Sequence, residues 1–330
     1  MKGGLGKLVR SENNLFQLTI ITVCTFALMC WLLPGTFLTV RNFRSMSFQF
    51  PELGILSIAM MLAMLTGGID LSLVGIANLA SILVALSFVK LMPPGSSSGV
   101  VIAFMAGAVL LAILAGSLCG LLNGFLISKF NVPPILATLG SMQLYTGIAI
   151  VITKGAAVIG FPPQYSVIGN GSVGIFSIPL IIFISLLAVF AVLLRKTNYG
   201  INLYLIGANM KAAIFAGIKT DKALMISYMV GGCLAGLAGL VMSSRTNGAK
   251  ADYGTSYILQ SILVSVLGGV KPSGGSGNVA GILIAVLALQ FLSSGFSMLR
   301  FSNFAKEFVW GCFLLAIMII NYFTSERNKT

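Results

Sequence analysis

The chain holds little with which to make or break a covalent bond. It has seven carboxylates and no histidine in 330 residues. The side chain that most often carries protons near neutral pH is therefore missing, and neither a Ser-His-Asp set nor an HExxH metal pair can be assembled. The five cysteines, Cys24, Cys30, Cys119, Cys233 and Cys312, lie in apolar runs with no C-x-x-C pair. They read as small packing residues, not as a disulfide framework or a metal site. GGLGKL near the start and GGVKPSGGSG (268–277) are glycine-rich. Neither has the spacing of a phosphate loop that ends in Lys and Ser or Thr. One carboxylate stands apart. Asp70 lies in LTGGIDLS (65–72), between SIAMMLAM and LVGIANLASILVALSF. An ionisable group between two such runs is costly in hydrocarbon. Gly67 and Gly68 can unwind one helix end, and Asp70, with Ser72 two residues on, can accept from the free N–H groups that open the next helix. This structural role is the favoured reading. A proton or cation site, or a polar gate contact, are its alternatives.

The elements that position Asp70 follow from composition. The chain is 57% hydrophobic and 8% charged, with a mean hydropathy of +1.02, whereas a soluble domain carries roughly 25% charged residues. Apolar runs of about 20 residues recur along it, the length of a membrane helix, and they are continuous, unlike the alternating strands of a barrel. The expected fold is an all-α polytopic bundle of about ten transmembrane helices: 16–33, 53–70, 73–91, 101–127, 133–153, 175–195, 225–243, 256–270, 278–298 and 307–323. The segment 133–153 carries two prolines and could enter the membrane and turn back. The first run has basic flanks like a signal peptide, but it is long and lacks a small-x-small cleavage site, so it reads as an uncleaved span.

The net charge of +13 marks loops, not nucleic-acid binding. With a cytoplasmic start, twelve Lys and Arg fall inside, among them Lys2, Lys7, Arg10, Arg327, Lys329 and five in 195–225. Eight fall outside, among them Arg41, Arg44, Arg245 and Arg300. Both termini are thus expected in the cytoplasm, with tails at 1–15 and 324–330, a bundle over 16–323 and a cytoplasmic loop over 196–224, all in one membrane domain spanning 1–330.

Gly116, Gly120 and Gly124 recur every four residues, as do Gly232 and Gly236 with Gly239 following. Such rows let helix backbones approach closely in lipid. Polar residues inside the spans are few: Asn78, Asn123, Gln143, Gln260 and Gln290. Asn123 and Gln143 are the candidates for lining a translocation path. In the basic loop, Asn209 can cap a short helix starting near Met210 and Gly217 can end it. Ile214 and Phe215 on that helix can fill a cleft in a docking partner, or the helix can simply rest on lipid headgroups.

Four stretches occur in order: TGGIDLS, NVPPILATLGSMQLYTGIAIV (131–151), YGINLYLIGANMKAAIFAGI (199–218) and VLGGVKPSGGSGNVAGILIAVL (266–287). Together they resemble the permease subunit of ribose-type ATP-binding-cassette (ABC) importers, over about residues 50–320. The resemblance implies a type II importer-like permease in the bacterial inner membrane and a non-enzymatic role. ATP and Mg would be used by a separate ABC ATPase, leaving no cofactor in this chain. A periplasmic or lipoprotein sugar-binding protein would deliver a monosaccharide or small polyol, and a second permease, identical or a paralogue, would complete the pair in membrane lipid, with no nucleic acid. It also implies that Gly207, Ala208, Asn209, Ala212, Ala213, Gly217 and Ile218 couple the permease to the ATPase. Two departures stand out: Gly67 where the family usually has Ser, with Leu73 inserted before Val74, and Arg300 where a small residue is usual. The alternatives are an ion-coupled secondary transporter using Asp70, or an ABC permease for nucleosides or branched-chain amino acids.

Overall fold

The computed structural model describes residues 2–93 and 95–326, with side chains over 15–93 and 95–319. The basic side chains of the first fourteen residues, and Arg327 and Lys329, therefore lie outside the described residues. The chain runs α1 (Lys2–Leu32), α2 (Val40–Leu65), α3 (Leu73–Leu86), α4 (Ser98–Lys129), α5 (Pro134–Thr153), β1 (Val158–Ile159), α6 (Ser166–Asn170), β2 (Ser172–Val173) and β3 (Phe176–Ser177). It continues through α7 (Ile178–Lys196), α8 (Asn198–Ala208), α9 (Met210–Phe215), α10 (Thr220–Thr246), β4 (Gly248–Ala249), α11 (Tyr257–Leu267), α12 (Val279–Met298) and α13 (Asn303–Glu326). A π-helical turn, Ser87–Leu91, closes α3.

Every expected span corresponds to a helix. Eight helices among the described residues are long and apolar enough to cross a membrane. The protein is an all-helical polytopic membrane bundle. Several boundaries differ from expectation: α1 already starts at Lys2, where a tail over 1–15 was expected, and α10 runs over Thr220–Thr246, beyond 225–243. The second helix starts at Val40, not 53, because Thr39 caps it by accepting from Asn42 N–H at 3.3 Å, although Arg41, Arg44 and Gln49 lower its hydropathy. It also stops at Leu65, not at Asp70. The segment 256–270 is helical only over Tyr257–Leu267.

α2 is the centre of the bundle, with every residue from Phe50 to Leu65 buried. It packs against α7, α10, α11 and α12. Pro51 sits inside it and cannot donate to the Ser47 carbonyl four residues back. Ser177, at the N-cap of α7, donates to that carbonyl at 2.6 Å instead, so the freed acceptor is satisfied where no water is available. Peripheral α1, α4, α5 and α7 keep Ile20, Leu110, Leu114, Leu144 and Val192 exposed, as side chains that face lipid should be.

The glycine rows meet each other. α4 lies along α10, and a Cβ on Gly116 or Gly120 would fall on the carbonyl oxygen of Gly232 or Tyr228. Gly239, one turn on, faces the Ala77 carbonyl of α3 in the same way. Both rows are thus one interlocked surface that admits no side chain.

The loop 154–174 is folded onto the bundle. β1 pairs with β4, Val158 opposite Ala249. Tyr165 stacks on Phe161 at 4.8 Å and its hydroxyl donates to the Leu240 carbonyl at 3.1 Å. Ser244 Oγ donates to the Tyr165 carbonyl at 2.6 Å and accepts from Gly169 N–H at 2.8 Å.

Candidate functional site around the break between α2 and α3

α2 ends where Gly67 takes φ +84°, a conformation L side chains avoid. Gly67 and Gly68 N–H groups return to the Met64 and Ala63 carbonyls at 3.0 and 3.1 Å, closing the helix end. This geometry accounts for glycine, not serine, at position 67. Gly68 faces the Tyr228 hydroxyl of α10 and Pro134 of α5, which leave no room for a Cβ. Residues 66–72 then run through the protein without helical structure.

Asp70 is 1% exposed. Its Oδ1 accepts from Ser72 N–H at 2.9 Å and from Ser72 Oγ at 2.6 Å. The hydroxyl of Ser72 accepts from Asn123 Nδ2 of α4 at 2.7 Å. Tyr145 of α5 donates to the Cys119 carbonyl at 2.8 Å and lies 3.3 Å from Asn123 Oδ1. A carboxylate, a hydroxyl, an amide and a phenol thus tie the break to two neighbouring helices. The N-cap expectation needs correcting in detail. α3 begins at Leu73 with Ser72 in the cap position, and the Ser72 side chain makes no cap bond. Asp70 stands two residues before the cap and closes a turn onto Ser72, too early in the chain to reach the first helical N–H groups. The second tie is Thr138 of α5, whose Oγ1 accepts from Leu71 N–H at 3.1 Å.

The other motifs reach the same place. Gly275 N–H donates to the Leu65 carbonyl at 3.0 Å, and Tyr204 of α8 donates to the Gly277 carbonyl at 2.9 Å. Gly207 packs against Leu65 and Gly275 so closely that a Cβ would strike backbone on both sides. The broken helix, the N-terminus of α5, the end of α8 and the 271–277 turn, separate in sequence, form one cluster.

α9 hangs from that cluster. Asn209 Oδ1 accepts from Ala212 N–H at 3.0 Å, capping it. Gly217, at φ +79°, ends it, with Ile218 N–H returning to the Ala213 carbonyl at 3.0 Å. The seven residues of this segment divide by position. Ala208, Asn209, Ala212 and Gly217 are exposed, Gly207 and Ile218 are half-buried, and Ala213 is buried against Ile206, Ala223 and Leu224. Phe215, which the family resemblance did not assign, is 91% exposed.

Of the two path candidates, Gln143 is exposed on the outer face of α5. Asn123 is 0% exposed and sits inside the Asp70 network. Sequence reasoning missed a further pair. Arg245, counted among outside loop charges, lies in the last turn of α10 and grips Glu52 of α2 through two bonds, Nε–Oε1 at 2.6 Å and Nη2–Oε2 at 3.0 Å. Tyr257 of α11 adds a hydroxyl to Glu52 at 3.2 Å. Glu52 in an otherwise apolar run was the available signal.

The chain matches the family model described as branched-chain amino acid transport system / permease component over residues 42–320. It is 34% identical over 292 residues to the ribose import permease protein of Bacillus subtilis strain 168, covering 88% of this chain and 87% of that one. It is 31% identical over 287 residues to the autoinducer 2 import system permease protein of Escherichia coli K12, covering 85% and 84%. No solved structure matches the chain. The matched region holds the α2–α3 break, α9 and the 271–277 turn that packs between them, and with these matches over most of its length the chain belongs to the family of transport-system permease components, the membrane-spanning subunits of ABC importers.

Proposed function

We propose that this permease imports a monosaccharide or a related small polyol, delivered by a separate binding protein and driven by a separate ABC ATPase that uses ATP and Mg. The observation that carries the reading is the 34% identity to a ribose import permease over nearly the full length of both chains. α9 would be the docking element for the ATPase. Its exposed Phe215 and the small Ala212 beside it suit a cleft in a partner, while Ala213 roots it against α10. Force applied there would pass into the cluster of Gly207, Gly275 and Leu65, and so to α2.

In this reading α9 faces the cytoplasm of a bacterial inner membrane, as do both termini, and a second permease, identical or a paralogue, completes the passage. Asp70 fixes the break between α2 and α3 as a structural carboxylate, bound through Oδ1 to Ser72, which Asn123 holds in turn. The test is uptake of a labelled panel of monosaccharides, small polyols, nucleosides and branched-chain amino acids into cells expressing the chain with its neighbouring ATPase and binding-protein genes. Accumulation of a sugar or polyol alone supports the reading. Accumulation of a nucleoside or amino acid alone contradicts it.

A further inference from the structure

At the end of the bundle opposite α9, the helices line a polar, open-mouthed cavity of about 300 Å³, the lower end of the range for small-molecule pockets. It opens between α2, α11, α12 and α13, and none of the four sequence motifs reaches it. Three glutamines, Gln49, Gln260 and Gln290, converge on it from three helices. Two of them, Gln260 and Gln290, are among the few polar residues set within apolar runs. Gln290 is only 6% exposed, and its one contact is a weak 3.5 Å approach to Gln49. Gln260 is half-buried, and among the described residues its amide has no hydrogen-bond partner. Gln49 is exposed at the mouth and donates to Ser45 Oγ at 2.9 Å, whereas a buried amide left as open as Gln290 calls for a partner.

The wall charges cancel. Arg245 is already held by Glu52, Lys306 donates to Ser297 Oγ at 2.8 Å, and the acidic Glu307 lines the same space. A singly charged ligand would gain little there. Amides each offer donors and an acceptor, and Ser293 and Asn303 add more of both. That equipment matches a neutral molecule with many hydroxyls. Trp310 forms part of the wall and is fixed by Phe296 and Phe313, with ring centroids at 6.0 and 6.4 Å.

We propose that this cavity is a binding site within a single permease subunit for a neutral polyhydroxylated ligand of monosaccharide size, held by Gln49, Gln260 and Gln290. The choice of ligand class rests on the import function proposed above. The cavity would be a way-station for cargo, and α2 and α10, which run from it to the α9 end, would be the parts whose movement opens or closes it.

The chain has two tryptophans, and Trp31 is 77% exposed on α1. Trp31→Phe therefore leaves Trp310 as a reporter in the cavity wall. The full-length variant in lipid nanodiscs, without ATPase, would be titrated with D-ribose while tryptophan emission is read, with L-leucine as the control solute. The expected result is a saturable change with D-ribose and none with L-leucine. Adding Gln260→Leu and Gln290→Leu should raise the half-saturating concentration about tenfold, as loss of two neutral hydrogen bonds implies. No saturable change with D-ribose, an equal response to L-leucine, or an unaltered titration in the double glutamine variant would each overturn the proposal. Because the titration needs neither ATPase nor uptake, its failure is separate from failure of the import reading, which shows as absent sugar accumulation by the wild-type transporter.

Discussion

Replacing Asp70 by Leu and by Asn separates a structural carboxyl from a dispensable one. Asp70 is 1% exposed and takes two donors, Ser72 N–H and Ser72 Oγ, at 2.9 and 2.6 Å. Leu is of similar bulk but accepts neither. Each orphaned buried donor costs about 1–3 kcal/mol, so the expected loss is about 2–6 kcal/mol. Interhelical hydrogen bonds in membranes average nearer the low end of that range. Ser72 also holds Asn123, so a displaced Ser72 exposes a second amide and pushes the cost upward. Asn keeps an acceptor oxygen at the same reach and should cost about 1 kcal/mol, the charge-assisted part of one bond. The assay is thermal unfolding of the purified permease in detergent, followed by loss of the monodisperse peak. Scaled by about 2–4 °C per kcal/mol for large domains, Leu should lower the midpoint by on the order of 5–15 °C and Asn by a few degrees. A Leu variant that unfolds with the wild type and transports normally would refute the reasoning.

Other perturbations follow from the same geometry. Gly120→Val or Gly232→Val places atoms on the opposing backbone carbonyls of α10 or α4 and should abolish folded protein on size-exclusion chromatography, whereas Gly107→Ala on α4, with open space around it, should be recovered at wild-type yield. Arg245→Met leaves Glu52 buried without its partner and should cost about 3–5 kcal/mol, seen as a lower unfolding midpoint. Adding Glu52→Gln should restore much of it. A double-mutant cycle of Ser72→Ala and Asn123→Ala should give a coupling energy of about 0.5–3 kcal/mol in equilibrium unfolding, the range for residues in direct contact. Phe215→Cys, in a background without the five native cysteines, should react with a membrane-impermeant maleimide in inside-out vesicles but not in intact cells.

The helices were legible because hydrophobic length alone marks a span in lipid. Asn209 and Gly217 could be read as the ends of α9 because caps and left-handed glycines are local features. Boundaries failed where polar residues sit inside a helix that other helices cover. Arg41, Arg44 and Gln49 hid the first half of α2, and Thr66 to Asp70 were counted into a span that stops at Leu65. What joins distant segments was not legible. The two glycine rows each announced close packing, but only the fold pairs Gly116 and Gly120 with Gly232 and Tyr228. Arg245 and Glu52 lie 193 positions apart, and nothing local to either names the other. Asn123 looked like a path residue because polarity within a span says nothing of direction. The fold turns it toward Ser72, while Gln260 and Gln290, singled out for the same polarity, reach an open cavity.

The central claim, a permease powered through α9 by an external ATPase, is tested most directly by energising uptake in two ways. Cells expressing the chain with its ATPase and binding protein would take up labelled D-ribose or the panel sugar found above. One sample would be depleted of ATP with its ion gradient maintained, and another treated with a protonophore at constant ATP. Gly217→Arg would be run beside the wild type, since Gly217 ends α9 at φ +79° with open space around it. The account predicts that uptake stops on ATP depletion, survives the protonophore, and is lost in the Gly217 variant despite normal membrane levels. Uptake that stops with the protonophore, survives ATP depletion and persists in Gly217→Arg would contradict it and return Asp70 to consideration as a carrier of protons.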